Sequence, residues 1–173
     1  FWAVVFNPSS MIRLTHVLIG CFIMGSFFIM SISAWYALRR RHVEFARRSF
    51  IGALLLATPA AWAALFSGHI QAQKVYAHQP AKLAAFEGHF KTGRGDLTLF
   101  GMPDAAAEAV QYSITVPGGL SLLLHGDPHS EVIGLDKIRP TDRPPLWLPF
   151  LSWRVMIGIG VFFIALTMLA VFQ

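Results

Sequence analysis

The chain is 173 residues long, and 55% of its residues are hydrophobic while only 13% are charged. Soluble domains carry about 25% charged residues, so this composition excludes an ordinary water-soluble domain and favours a membrane protein. The net charge is +5, but the basic residues are concentrated between two apolar segments, which argues against nucleic-acid binding. The single cysteine, Cys21, lies in an apolar run, where a packing role is expected.

Three apolar segments reach the roughly 20 residues that a bilayer-spanning helix needs. We therefore predict an all-α integral membrane fold with three transmembrane helices, a long loop between the second and third, and a place in a larger helical bundle. Asn7 and Pro8 are expected to start the first helix, and Pro59 is expected to kink the second. The predicted regions are a helix at 1–38, a turn at 39–49, a helix at 50–73, a loop at 74–147 and a helix at 148–173.

The charge distribution predicts how these helices are oriented. The turn at 39–49 contains five arginines and one glutamate, whereas the loop at 74–147 contains seven basic and eight acidic residues. The positive-inside rule then places the turn in the cytoplasm and the loop on the opposite, outer face. Short apolar patches in this loop, "LTLFG" and "GLSLLL", suggest that it folds against another part of the structure.

A histidine and a methionine are expected at similar depth in two of the helices. His16 follows Pro8 by eight residues and Met156 follows Pro149 by seven, which corresponds to about 12 Å and about 10 Å of helix. Imidazole nitrogen and thioether sulfur both bind haem iron, so the pair is a candidate axial set for a low-spin haem. The alternative is that both residues simply pack between helices.

Glycines and arginines accompany both candidate ligands. Gly20 and Gly160 each follow a candidate ligand by four residues, on the same helical face, where a glycine would allow a flat macrocycle to approach. Arg13 and Arg154 lie near the ligands in sequence and could pair with haem propionates. Glycine is also frequent in membrane helices without any ligand.

The remaining histidines are weaker candidates. His42 lies in the arginine-rich turn and is expected to be solvated, and His69 is expected near the outer end of the second helix, either interfacial or close to a redox site. His125 and His129 flank "GDP", but no third and fourth ligand have the spacing of a metal site.

The stretch "HQPAKLAAFEGHF" (78–90) places charged residues just beyond the second helix. Lys82 and Glu87 are five residues apart, about 140° around a helix, so they are not expected to pair on one face. They could face a quinol-like ligand, whose oxidation needs a base to accept protons. The alternative is a surface pair between Glu87 and Lys91, and Gly88 is expected to end any helix here.

Five segments together resemble subunit I of cytochrome bd-type quinol oxidases, in the cyanide-insensitive branch with a short quinol loop. The segments are "NPSSMIRLTHV", "SAWYALRRRH", "HQPAKLAAFEGHF", "TLFGMPD" and "SWRVMIGIG". The resemblance implies that the three predicted helices are the family's fifth, sixth and seventh. Because the chain starts with Phe1 and no signal-peptide features precede the first apolar run, it is expected to be an internal fragment.

The resemblance implies a function for each candidate residue. His16 and Met156 would bind the low-spin b haem, Arg154 would support it, and Lys82 and Glu87 would contribute to quinol oxidation at the periplasmic face. The intact enzyme would be a multi-pass protein of the bacterial inner membrane that reduces dioxygen. It would also bind a second b haem and haem d through ligands outside this chain, and it would assemble with subunit II.

The sequence departs from the family pattern at two positions, and one competing function remains open. His69 stands where the family commonly has an aspartate, and Lys91 stands where an acid often follows. The first departure puts an acidic proton acceptor at that position in doubt. Without the family's other helices, the fragment alone is expected to be inactive. The competing function is a cofactor-free membrane scaffold or transporter fragment.

Overall fold

The computed structural model of the chain describes residues 1–172. The last residue of the predicted third helix, Gln173, lies outside the described residues. Within residues 1–172, six helices, four strands and two 3₁₀ turns follow one another. In order, they are α1 (Trp2–Val5), α2 (Pro8–Leu38), α3 (Val43–His78), α4 (Pro80–Glu87), β1 (Gly93–Arg94), β2 (Leu97–Asp104), β3 (Ala109–Val116), α5 (Gly119–His125), β4 (Glu131–Val132), the 3₁₀ turns Leu135–Lys137 and Pro140–Asp142, and α6 (Trp147–Val171).

Three of these helices, α2, α3 and α6, are long and apolar enough to cross a membrane, as predicted. The first predicted helix is nevertheless divided, because α1 ends at Val5 and α2 begins at Pro8. Proline has no backbone N–H to donate, so it is suited to the first position of a helix and unsuited to its interior. Asn7 caps α2 as predicted, with its side-chain oxygen accepting a hydrogen bond from the Ser9 N–H at 2.9 Å.

The second long helix extends beyond its predicted limits of 50–73 at both ends. It begins at Val43, so Arg47 and Arg48 lie on its first turns and the connecting turn is only four residues long. Glu44 in the first turn favours this start, because an acid there complements the helix dipole and its carboxylate lies 2.7 Å from Arg48 Nε. The helix also runs on to His78, since "IQAQKVYAH" contains no helix breaker. It continues through Pro59, where the expected kink stays a prediction.

The chain divides into two compact units, the first formed by residues 1–68 and 159–172. Within it, an apolar cluster joins α2, α3 and the second half of α6, and the Phe27 and Phe163 rings lie 4.3 Å apart. The buried residues of α3 are nearly all alanines, namely Ala46, Ala53, Ala57 and Ala61. Small residues at such spacing let membrane helices approach closely.

The second unit comprises residues 69–158 and has apolar clusters of its own. Leu83 of α4 packs with α5 and β4 in one cluster, and Ala84 of α4 packs with Phe90 and Leu135 in the other. Helix α4 therefore lies between the two clusters, and this packing holds its C-terminal end in a defined place.

The prediction of an all-α fold is wrong in this second unit, because β2 and β3 form an antiparallel hairpin and β1 pairs with β4. The hairpin turn is closed by Asp104, whose Oδ1 accepts hydrogen bonds from the backbone of Ala106 and Ala107 at 2.9 and 3.1 Å. The β-branched and aromatic residues of "AVQYSITV" favour a strand. The glycines and prolines elsewhere in 74–147 are typical of turns and loops, so composition alone does not reveal the hairpin.

Candidate functional site

Glu87 is the last residue of α4 and only 4% of it is exposed. Pro80 stands at the first position of this short helix, and Gly88 ends it with a left-handed φ of +64°. The prediction that Gly88 stops the helix is confirmed. Because a residue with a side chain rarely adopts this φ, Gly88 fixes the point at which the chain turns and so the position of Glu87.

Two donors from α6 hold the Glu87 carboxylate. Trp153 Nε1 donates to Oε1 at 2.6 Å, and Arg154 Nη2 donates to Oε2 at 3.0 Å. Both carboxylate oxygens are thus bound to N–H groups that can only donate, an arrangement that suits the ionised form. The surface pair between Glu87 and Lys91 that was considered from the sequence is not formed, because Arg154 takes its place.

Burial raises the pKa of Glu87 above its ordinary value, because an ionised carboxylate loses its hydration in this position. The positive charge of Arg154 and the hydrogen bonds from Trp153 and Arg154 oppose that rise without cancelling it. The carboxylate therefore binds a proton more readily than a solvated glutamate while it keeps a fixed orientation.

Arg154 connects three parts of the second unit. Its Nη1 donates to the Phe86 carbonyl, its Nη2 donates to the Thr98 carbonyl at 2.8 Å, and its guanidinium carbon lies 3.9 Å from the centre of the Phe150 ring. Arg154 thereby caps the free carbonyls at the end of α4. Its Nε is buried and has no hydrogen-bond partner among the described residues, and its predicted role toward a propionate stays a prediction.

Lys82 lies in a different environment from Glu87. It is exposed on α4, and its Nζ lies 5.5 Å from the centre of the Phe86 ring. Phe86 in turn stacks on Trp153, with ring centres 5.2 Å apart and planes inclined by 20°. As the helical spacing predicted, Lys82 and Glu87 do not form a pair.

A polar groove of about 290 Å³ opens beside Glu87, which we call the Glu87 groove. Besides Glu87, the charged or titratable residues that line the groove are His89, Lys91, Arg94 and Asp96. Hydroxyl groups are contributed by Thr98, Ser113 and Thr115. His89 Nε2 lies 3.1 Å from the Val132 carbonyl, and burial lowers the pKa of this imidazole. The groove therefore connects a buried carboxylate to a polar surface.

His16 lies half-buried on α2, where its Nδ1 is 2.7 Å from Ser67 Oγ of α3. Ser67 Oγ also donates to the Ala64 carbonyl at 3.2 Å. Gly68 allows this approach, because a Cβ at that position would lie 3.5 Å from His16 Cε1. Nε2 has no hydrogen-bond partner among the described residues, so the ring offers one free nitrogen to a metal, and this fits a haem ligand.

The other predicted haem-site residues, Met156, Gly20, Gly160 and Arg13, can be described by their exposure and by the space around them. Met156 is 48% exposed on α6, and a Cβ placed on either Gly20 or Gly160 would meet no atom within 4 Å. Arg13 is exposed on α2. His16 belongs to the first unit and Met156 to the second, and their pairing around one haem stays a prediction.

No group of three or more His, Cys, Asp or Glu side chains suited to a metal ion occurs within residues 1–172. In "HGDPH", Asp127 accepts hydrogen bonds from the His129 N–H and the Ser130 hydroxyl. These hydrogen bonds lower the pKa of Asp127. The His125 ring packs against Tyr76. This motif therefore closes a turn. His69 is exposed on α3, nine residues before the end of that helix.

Sequence reasoning missed Trp153 and Ser67, the residues that hold Glu87 and His16. Trp153 directly precedes Arg154, and Ser67 is a polar residue within the mostly apolar stretch 50–68 of α3. A polar group in a membrane helix is itself a signal of function, but only the folded structure shows which residue it contacts.

The comparisons with known proteins agree with one another. A "Cytochrome bd ubiquinol oxidase subunit 1" of Bacillus subtilis is 32% identical over 93% of this chain and 37% of its own length. A "Cytochrome bd-II ubiquinol oxidase subunit 1" of Escherichia coli is 32% identical over 90% of this chain and 31% of its own length. The solved bd oxidase of Geobacillus thermodenitrificans superposes with a TM-score of 0.86 at 31% identity, over 95% of this chain and 38% of that one.

The chain thus spans less than half the length of these relatives. The match to the family described as "Cytochrome bd terminal oxidase subunit I" nevertheless extends over residues 1–173. With three helices suited to a membrane and a whole-length family match, the chain belongs to the cytochrome bd terminal oxidase subunit I family.

Proposed function

We propose that this chain is the electron-entry part of a respiratory quinol oxidase, in which quinol is oxidised beside Glu87 and electrons pass to a low-spin b haem on the way to oxygen reduction. One observation supports this most strongly. Glu87 is a buried carboxylate held by two N–H donors at the edge of a polar groove. Buried, oriented and titratable groups are typical of proton-transfer sites.

Glu87 acts as the proton acceptor in this proposal. Oxidation of a quinol releases two protons and two electrons, so a base near the hydroxyl groups is required. Desolvation gives the Glu87 carboxylate a higher proton affinity than that of a solvated glutamate, and Arg154 remains charged beside it to keep the site anchored. After each transfer the proton leaves through the Glu87 groove.

Lys82 has a binding role in the same proposal. Because it is exposed and lies over the Phe86 ring, its ammonium group is free to donate a hydrogen bond to a quinol oxygen. Phe86 contributes an apolar face next to it. Substrate orientation is thereby assigned to Lys82 and proton transfer to Glu87.

His16 and Met156 are the ligands of the low-spin b haem in this proposal. A bound haem would supply a one-electron acceptor, and methionine ligation raises its reduction potential. His16 would bind iron through Nε2 while Ser67 holds Nδ1, and Gly20 and Gly160 would leave room for the macrocycle. The buried Nε of Arg154 and the exposed Arg13 are the candidate donors to propionates.

The other haems, the partner subunit and the cellular location are inferred from the family. A second b haem, haem d and their ligands belong to regions outside this chain, and a second hydrophobic subunit completes the enzyme. The protein is a multi-pass protein of the bacterial inner membrane. Residues 74–147 lie in the periplasm and the arginine-rich turn lies in the cytoplasm, since five arginines favour the inner side.

Glu87→Gln in the assembled oxidase tests the proton-acceptor role. We expect quinol oxidation to fall about 10²–10⁴-fold, the usual contribution of a general base, while the reduced-minus-oxidised haem spectrum stays unchanged. Glu108→Gln is the matched control, because Glu108 is also paired with an arginine, Arg143 at 2.7 Å, but is 48% exposed at its side chain. Full activity of Glu87→Gln would refute the proposed role.

The haem assignment has a separate test in His16→Ala and Met156→Leu. Each variant is expected to lose the low-spin b-haem band in the visible spectrum. His42→Ala and Met24→Leu are controls, since both residues are exposed and have no proposed ligand role. An unchanged spectrum in both ligand variants would favour the cofactor-free scaffold instead.

A further inference from the structure

We propose that Trp153 is a positioning residue that holds the Glu87 carboxylate ready to accept the quinol proton, an inference that rests on the proposed function. Its indole N–H lies 2.6 Å from Glu87 Oε1, while Arg154 holds the other oxygen at 3.0 Å. Adjacent residues of α6 thus bind the two oxygens of one carboxylate. A carboxylate bound at both oxygens cannot rotate freely about its last bond.

The indole ring is itself held in place. Phe86, the residue before Glu87, stacks on Trp153 with the ring planes 20° apart. Two consecutive residues of α4 therefore contact two consecutive residues of α6. Because an indole N–H can donate but not accept, Trp153 orients the carboxylate without competing for the proton.

Of the two side chains that donate to the Glu87 carboxylate, Trp153 is the uncharged one. Arg154 faces Glu87 from α6, and His89, Lys91, Arg94 and Asp96 line the same groove. The hairpin residues that line this groove are all uncharged, and they are Thr98, Ala109, Val110, Ser113 and Thr115. Removing the indole N–H therefore changes one hydrogen bond to the ionised carboxylate and leaves the net charge of the site unaltered.

Trp153→Phe tests this inference, because it preserves an aromatic ring for Phe86 and removes the donor. Loss of a hydrogen bond to the charged form raises the proton affinity of Glu87. A higher pH is then needed to keep Glu87 ionised. We expect the acidic limb of the pH profile of quinol oxidation to move to higher pH, with the rate recovering on the alkaline side and the haem spectrum unchanged.

Two further variants complete the experiment. Trp153→Gln keeps a side-chain N–H that does not titrate and should restore the acidic limb toward its original position, which also covers the case in which Trp153→Phe does not assemble. Trp147→Phe lies on the same helix but is 54% exposed, so its pH profile should match that of the unmodified protein.

The possible outcomes separate this inference from the proposed function. An unchanged profile in Trp153→Phe, or an equal loss of rate at every pH, would overturn the positioning role while Glu87→Gln stays impaired. If Glu87→Gln is fully active, the proposed function itself has failed. A shifted acidic limb in Trp153→Phe that is restored in Trp153→Gln supports both.

A second, independent observation concerns Ser67, and we infer that this residue sets the tautomer of His16. Its hydroxyl has a single proton, which is donated to the Ala64 carbonyl at 3.2 Å. The same oxygen lies 2.7 Å from His16 Nδ1, and a hydroxyl that donates its proton to Ala64 can only accept in this second contact. Nδ1 then carries the ring proton, and the lone pair of the neutral ring is on Nε2.

This arrangement is the one that a metal-binding histidine needs. An acceptor on the second ring nitrogen fixes the tautomer and the ring orientation and increases the basicity of the ligand. The inference rests on the proposed role of His16 as a haem ligand, and it assigns the orientation of the ring to a residue of a different helix.

Ser67→Ala removes the acceptor, and its readouts are the haem content and the reduction potential of the low-spin haem in the assembled oxidase. We expect haem affinity to fall on the order of 10-fold and the potential to rise, because a less basic imidazole stabilises oxidised iron less. Ser67→Thr retains the hydroxyl and should behave like the unmodified protein.

The control is Ser26→Ala, since Ser26 is a buried serine on α2 whose Oγ has no partner among the described residues. Unchanged haem content and potential in Ser67→Ala would overturn the role of Ser67. If His16→Ala also keeps the low-spin band, the ligand assignment has failed instead.

Discussion

The surroundings of Glu87 and those of His16 differ in how completely the chain satisfies its own polar groups. Around Glu87, both carboxylate oxygens and both terminal nitrogens of Arg154 have partners within residues 69–158. Around His16, one ring nitrogen is held and the other is free among the described residues. At the first site this chain supplies the partners of both Glu87 oxygens and leaves only the buried Arg154 Nε without one, whereas at the second site a ring nitrogen is still available to a ligand.

The two sites differ because a buried charge and a metal ligand need different surroundings. A buried charge is tolerated only when it is paired and hydrogen-bonded, so the chain must provide the partners of Glu87 itself. A metal ligand must instead keep a lone pair accessible, and only its orientation is supplied by a neighbouring group. Substitutions near Glu87 should therefore affect stability strongly, and substitutions near His16 should mainly affect ligand binding.

The largest loss of stability is expected for Glu87→Ala. The change leaves Arg154, whose side chain is 12% exposed, without its counter-charge, and such losses cost about 3–5 kcal/mol. Thermal unfolding in detergent would measure the loss. Glu44→Ala is the matched control, because its pair with Arg48 is largely exposed and should contribute less than about 1 kcal/mol. Equal effects of the two variants would contradict the comparison.

Gly88→Ala should have the next largest effect, about 3 kcal/mol, by combining a left-handed backbone with overpacking. A Cβ at Gly88 would lie 2.6 Å from Val110 Cγ2 and 2.9 Å from Phe150 Cε2. Gly25→Ala on α2 is the control, since a Cβ there meets no atom within 4 Å, and it should not destabilise. Thermal unfolding of the two variants would show whether the end of α4 is as constrained as its contacts indicate.

The pH dependence of stability should also reflect Glu87. Its raised pKa in the folded state means that the folded protein retains this proton more strongly than the unfolded chain does. Its contribution to stability is therefore present below the ordinary glutamate pKa of about 4.3 and is lost as the pH rises through the raised value. Glu87→Gln should flatten this part of the stability profile, and an unaltered profile would contradict the assignment.

The smallest effect is expected for Lys82→Ala. Lys82 is exposed, and its contact with the Phe86 ring contributes about 0.5–1 kcal/mol. In quinol oxidation, this variant should raise KM more than it lowers kcat, because Lys82 is assigned to substrate orientation. Steady-state kinetics beside Glu87→Gln would show whether the two residues have separate functions. A fall in kcat as large as that of Glu87→Gln would contradict the separation.

Several features were predictable because they depend on short-range chemistry. Asn7 and Pro8 mark a helix start, Gly88 marks a helix end, and a five-residue separation keeps Lys82 and Glu87 apart. Helix α3 extends beyond 50–73 at both ends, because the charged and polar residues that flank the apolar segment also form stable helical turns. The β2–β3 hairpin was missed because its strands lie among glycines and prolines in a segment that had been treated as a loop.

The sequence by itself determined three membrane-length apolar segments, the residue types suited to a haem and a proton acceptor, and the resemblance to one family. These properties follow from composition, local spacing and motif, all of which can be read within a few residues. Only the tertiary structure decided that Arg154 and Trp153 hold Glu87, 66 residues or more away along the chain, and that Ser67 contacts His16. Such partners are chosen by packing and by the need to satisfy buried polar groups, and neither is encoded in any short stretch of sequence.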